Sequence, residues 1–194
     1  REGDERYNFE NDDLGFVDTE SGALLKIGMS SEDVEKLIGA PRTVDRDGFR
    51  IYSGIVIKYD DNGNASQMIV AAGNMEGDDN PNRFVSPRGV KLSTTLDEFK
   101  SVYGDEYNEP SQAAEGDESI KSSAMMAVRY YAKNGDTFNY LGGSYTKENK
   151  PENDADLIMQ TFLFSTETKT VSVMSVGNGT ATVSYTHLTL PTIL

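Results

Sequence analysis

"LKIGMSSEDVEKLIG" (25–39) and "VKLSTTLDEFKSVYG" (90–104) decide how this chain folds, because each reads as the same short helix with the same two ends. At an offset of 65 residues, Lys26 falls on Lys91, Ile27 on Leu92, Ser30 on Thr95, Asp33 on Glu98 and Val34 on Phe99. Leu37 then falls on Val102, Ile38 on Tyr103 and Gly39 on Gly104; Met29 over Thr94 and Ser31 over Leu96 are the mismatches. Ser30-x-x-Asp33 and Thr95-x-x-Glu98 are helix starts, with a hydroxyl to cap a free N–H and an acid three residues on. Val34, Leu37 and Ile38, like Phe99, Val102 and Tyr103, fall at i, i+3, i+4 and make one apolar stripe. Gly39 and Gly104 sit where a helix ends in a left-handed residue, and Pro41 blocks continuation of the first helix.

Strands follow each helix. "IVIKYDDNGNASQMIV" (55–70) alternates about Asn62-Gly63, a type I′ hairpin signal, with Ile55, Ile57, Tyr59, Met68 and Val70 on one face. "FLFSTETKTVSVMSV" (162–176) does the same about Glu167-Thr168, with Phe162, Phe164, Val171 and Val173 sharing a face. An additional hairpin, "MAVRYYAKNGDTFNYL" (126–141), turns at Asn134-Gly135, and residues 105–124 read as a polar loop before it. The expected organisation is a polar N-terminal tether (1–22), a first helix-plus-hairpin repeat (23–72) and a linker (73–86) containing "NMEGDDNPNRF". A second repeat of one helix and two hairpins (87–176) and a C-terminal segment (177–194) complete it. One short helix over two or three strands cannot bury a core alone. The predicted fold is therefore α+β: two tandem helix-then-antiparallel-sheet repeats forming a continuous sheet, with short helices on one face and the other face free.

"IGMSSEDVEKLIGAP" (27–41) resembles the opening of SmpA/OmlA-type lipoproteins: an apolar-Gly-Met-Ser/Thr start, a short helix and a closing Gly-x-Pro. The doubled unit is similar to the tandem-repeat family of β-lactamase inhibitor proteins. The resemblance is strong over about 15 residues of the first copy; the second has Ser93-Thr94 for Gly-Met and no closing Pro. It implies a bacterial secreted or cell-envelope scaffold, extracytoplasmic, and carries no activity.

The chain has 18 Lys and Arg against 32 Asp and Glu, a formal charge of −14, no Cys and one His, His187. No thiol chemistry, disulfide or Cys-ligated metal is available, and a nucleic acid would be repelled over most of the surface. No apolar run approaches the ~18 residues of a membrane span. Beginning at Arg1 rather than Met, the chain reads as processed or trimmed, so that any targeting signal or lipid anchor would lie upstream of Arg1. "DDNGN" (60–64) departs from a calcium loop: counted from Asp60, Gly63 is fourth and Ala71 twelfth. There is no G-x-S-x-G, and "LGGSY" (141–145) lacks the Lys-Ser/Thr of a phosphate cradle. Asn64-Ala65-Ser66 and Asn178-Gly179-Thr180 match the glycosylation triplet and read as turns. "VSYTHLTLPTIL" (183–194) breaks the pattern and reads either as a non-native read-through tail or as a last edge strand; His187 lies within it.

The extra hairpin supplies the candidate site. Pairing about Asn134-Gly135 sets Tyr131 opposite Phe138 and Arg129 opposite Tyr140, four large groups on one face. They either pack as a second small core under residues 142–157 or form an exposed aromatic–Arg protein-binding face. No catalytic, cofactor-binding or metal-binding residue is expected. The function expected is a non-catalytic extracytoplasmic protein-binding or scaffold module, with a basic protein as partner. The alternative is a small-ligand, glycan or calcium-binding envelope protein, and an enzyme using carboxylates alone ranks last.

Overall fold

The computed structural model describes residues 2–105 and 124–178. Most of the expected 105–124 loop, the 183–194 tail and His187 lie outside the described residues. The first helix, α1 (Ser31–Ile38), starts on Ser30, whose hydroxyl accepts the Asp33 N–H at 3.1 Å. The second, α2 (Leu96–Tyr103), starts on Thr95, whose hydroxyl accepts the Glu98 N–H at 3.2 Å. Gly39 and Gly104 end them at φ 88° and 89°, each donating back to the carbonyl four residues earlier.

Eleven strands are described: β1 (Gly15–Asp18), β2 (Leu24–Lys26), β3 (Thr43–Val44), β4 (Arg50–Tyr52), β5 (Ile55–Tyr59), β6 (Ala65–Ala71), β7 (Phe84–Val85), β8 (Ala124–Asn134), β9 (Thr137–Gly142), β10 (Leu157–Ser165) and β11 (Val171–Asn178). Eight of them form one sheet in the order β3-β4-β5-β6-β11-β10-β8-β9, and β2-β1-β7 form a second. Every pairing is antiparallel, so the fold is α+β. β6 meets β11 with Met68 opposite Val176 and Ile69 opposite Ser175.

The loop before each helix is stitched to a hairpin turn by three backbone bonds. In the first half Gly28 N–H donates to Ala65 O (2.8 Å), Ala65 N–H to Met29 O (2.7 Å) and Ser31 N–H to Gly63 O (2.9 Å). In the second half Ser93 N–H donates to Val171 O (2.8 Å), Val171 N–H to Thr94 O (2.8 Å) and Leu96 N–H to Lys169 O (3.0 Å). The left-handed backbone recurs as well: Gly28 (φ 93°) answers to Ser93 (φ 75°), and Gly63 (φ 78°) to Lys169 (φ 54°).

The main core joins α1 (Val34), α2 (Phe99, Tyr103) and the small sheet (Phe16, Leu25, Phe84) to one side of the large sheet. Ile55, Ile57, Met68, Val70, Phe162, Phe164, Val171 and Met174 lie on that side. Each such side chain removed from water is worth ~1.5–3 kcal/mol.

Several expectations need correction. Residues 1–22 are not a solvated tether throughout, since Leu14 and Phe16 are buried and β1 is the middle strand of the small sheet. The 73–86 stretch is more than a linker: it contributes β7, and Asp79 binds Arg42 (2.8 Å) and the Ser53 hydroxyl (2.7 Å). Gly63 is left-handed but Asn62 is not, so Asp60–Asn64 is not the type I′ turn, which needs both. Val173 turns away from Phe162 because the β10–β11 register shifts between Leu163 and Phe164. It joins Phe49, Val56, Ile69, Ala71 and Leu163 in a second buried cluster, so the other face of the sheet is not bare.

The small sheet is clamped by Asp18, which is fully buried and receives Arg83 Nε and Nη2, both at 3.1 Å. Burial pushes the Asp18 carboxyl up, but the Arg83 bonds, the Glu20 N–H and the Ser21 hydroxyl outweigh it and hold the group below its ordinary value. The pair therefore stabilises the fold fully above the unfolded value of 3.8, and its contribution is lost as pH falls through the lower folded value. Asp18→Asn should cost ~3 kcal/mol at neutral pH, with the difference from wild type shrinking between about pH 5 and 2 in urea titrations. Gly28→Ser should cost ~1–2 kcal/mol for left-handed strain. The reciprocal Ser93→Gly should be neutral or stabilising by up to ~1 kcal/mol, measured in the same titrations.

Candidate functional site

The four residues singled out in the extra hairpin occupy β8 (Arg129, Tyr131) and β9 (Phe138, Tyr140). The hairpin turns at Gly135-Asp136, not Asn134-Gly135, because Asn134 pairs with Thr137 and Gly135 alone takes positive φ, as a type II′ turn requires. Tyr131 consequently faces Tyr140, and Phe138 faces Lys133. The register has moved by two residues, which leaves every side chain on the face expected of it.

Of the two readings, a packed second core or an exposed binding face, the structure shows packing at Arg129 and Tyr131. Arg129 and Tyr131 are each 1% exposed. The cover is the N-terminal segment rather than residues 142–157. Phe9 stacks on Tyr140 at 4.5 Å between centroids and meets Tyr131 edge-on at 5.9 Å. The Arg129 guanidinium lies 5.3–5.4 Å from the ring centroids of Phe9, Phe99 and Tyr103 and donates through Nη2 to the Tyr103 carbonyl. Among the described residues, its Nε and Nη1 have no hydrogen-bond partner. Burial pushes the Tyr103 hydroxyl up to about 12 and the Tyr131 hydroxyl higher still, so both stay neutral. Tyr131 donates to Gln160, which donates in turn to the Asp13 carbonyl.

Arg88 holds the segment down. Its Nε bonds Asp13 (2.8 Å), Nη1 bonds the Arg6 and Val102 carbonyls (2.7 and 2.9 Å), and Nη2 bonds the Asn8 carbonyl (2.8 Å). The signal missed in the sequence is the spacing of Tyr7, Phe9, Leu14 and Phe16 within an otherwise charged stretch. Too few residues repeat there for a period to stand out.

Phe138 lines an open site. Two adjoining cavities of about 280 and 220 Å³ share Ile27, Gly28, Lys133 and Phe138 in their walls, making one elongated trough. The loop before α1, the β5–β6 turn, the β8–β9 turn and the end of β11 converge there. Leu14 and Met29 give one end an apolar wall; Asp60, Ser66 and Asp156 line the other.

Asp60 is committed to its turn, accepting the Asn62 and Asn64 N–H groups at 2.9 and 3.0 Å. Lys26 is paired with Asp12 at 3.0 Å. Lys133, Asp136 and Asp156 form no ion pair among the described residues. Along the rim, Asn11 Nδ2 donates to the Asp136 carbonyl (2.7 Å), and Phe138 N–H donates to Asn11 Oδ1 (3.1 Å). Among the described residues, no group of three or more His, Cys, Asp or Glu is placed to share a metal ion. No described helix is long and apolar enough to cross a membrane.

Compared with known proteins, the chain matches no family model, no curated sequence and no solved structure.

Phe9→Ala should destabilise the chain by ~2–3 kcal/mol, below the full core cost because the ring is only half-buried. It should also render tyrosine fluorescence more quenchable by acrylamide; unchanged quenching would mean that Phe9 does not shield Tyr131 and Tyr140.

Proposed function

We propose that this chain is a non-catalytic protein-binding module of the bacterial cell envelope, an extracytoplasmic scaffold made of two tandem SmpA/OmlA-like units joined side by side through β6 and β11. Support for the doubled unit comes from the matched caps, the matched terminal glycines and the two sets of three backbone bonds that dock each helix start to its hairpin turn.

The observation that carries the binding role is the trough. Its two cavities adjoin and are walled by an aromatic ring, aliphatic groups and ionic groups, of which Lys133, Asp136 and Asp156 form no ion pair among the described residues. Small-molecule pockets are more enclosed and commonly ~300–1,000 Å³ in one volume. An open surface of mixed apolar and charged character suits a segment of another protein. The charge of −14 favours a basic partner, steering it at low salt and weakening the complex as salt rises.

A photo-crosslinking residue at Phe138 should yield one dominant protein adduct in cell-envelope extract, diminished by salt. The same residue at Val44, exposed at the opposite end of the sheet, should not. Equal adducts at both positions, or none at Phe138, would remove the trough from the proposal.

A further inference from the structure

Among the described residues β9 is the last strand of the eight-stranded sheet, so one side of its backbone faces away from β8. A strand edge is a row of donors and acceptors that another strand can pair with unless something blocks it. Here the carboxamide of Asn11 meets that edge with both of its polar atoms, accepting from the Phe138 N–H at 3.1 Å and donating to the Asp136 carbonyl at 2.7 Å. An added strand would meet the same two groups with the C=O and N–H of one of its residues, so Asn11 occupies the place of that residue. The clip sits on a three-residue 3₁₀ turn at a half-buried position. Beside it runs the trough, with Asn11, Gly135, Asp136 and Phe138 in its wall.

We infer that the partner segment adds to β9 as an extended strand, its backbone replacing the Asn11 carboxamide and its basic side chains facing Asp136 and Asp156. This rests on the trough as the binding surface and specifies how that surface is used. Strand addition draws affinity from main-chain bonds and leaves selectivity to the side chains. Charge sets the chemistry of the occupant. The carboxylates of Asp136 and Asp156 form no ion pair among the described residues and outnumber the single unpaired Lys133. The chain as a whole carries −14.

The test uses the full chain and a synthetic peptide of alternating lysine and valine, ~8 residues long to cover a typical strand. A second peptide of the same sequence is N-methylated at alternate residues, which removes its backbone donors and keeps its charge. By fluorescence anisotropy the plain peptide should bind, the N-methylated one roughly 30-fold more weakly or not at all. Asn11→Ala should tighten the plain peptide about 3- to 10-fold by freeing the edge, the effect of losing a competing pair of hydrogen bonds. Equal binding of both peptides, or no change on Asn11→Ala, overturns strand addition while leaving the trough as a charged docking surface. Binding of neither peptide also overturns it, and the Phe138 crosslink then judges the trough separately.

Discussion

Six backbone hydrogen bonds between helix starts and hairpin turns are the constraint on which the rest of the structure depends. Each helix is only eight residues long, too short to persist in water by itself. What fixes it is the pair of bonds exchanged between the loop before it and the first residue of a strand, Ala65 or Val171, and a third bond to the turn. These bonds require left-handed backbone in the loop and at the turn. Glycine supplies both in the first half, whereas Ser93 and Lys169 adopt it in the second at a conformational cost. The same bonds form although the residues in the loops and turns differ, so this backbone geometry is shared in addition to the hydroxyl caps and terminal glycines. Once docked, the apolar stripes can point only one way, and Val34, Phe99 and Tyr103 enter the same core.

The N-terminal segment makes the halves unequal. Tyr7 lies against the end of α2 so closely that a Cβ at Gly104 would come within 2.4 Å of its ring; at Gly39 the same position is open. Gly104 is therefore required twice over, for its positive φ and for the approach of the ring. Val102 is packed under cover, while its counterpart Leu37 is 44% exposed. The same segment places Phe9 over Arg129 and closes a box of three rings about a cation. An unpaired guanidinium is costly to bury. The ring faces offset part of that cost, and the bond to the Tyr103 carbonyl offsets more.

Helix ends and the faces of the first hairpin were legible because both are local: caps, stripe and terminal glycine sit within about one helix length, and strand alternation has a period of two. Ile55, Ile57, Met68 and Val70 do share the core face. Val173 did not follow its pattern because Ser172 is an extra residue of β11 opposite the Leu163–Phe164 step, which sets Val171 and Val173 on opposite faces, and an extra residue leaves no compositional mark. The Asn62-Gly63 signal located a turn but not its type, since Asp60 accepts two N–H groups and settles the backbone before Asn62 needs a left-handed conformation. Asp18 with Arg83, and Arg88 with Asp13, are pairs far apart in the sequence, and among 32 acids and 18 bases nothing distinguishes them before the chain is folded. The candidate face was correct as a set of residues sharing a side. The source of its cover was not legible, because it comes from a segment whose charges read as solvated.

That cover also explains why the trough lies where it does. Tyr140 and Phe138 are two residues apart on one side of β9, yet one is stacked beneath Phe9 and the other walls the trough. The boundary between core and site falls where the N-terminal segment crosses the strand: Phe9 closes the interior, Asn11 clips the edge and Leu14 forms the first wall of the trough. The bonds of Arg88 to Asn8 and Asp13 bracket that crossing on both sides. Stability of the second half and the shape of the trough thus depend on the same short run of residues, so a change that lifts the segment alters both together.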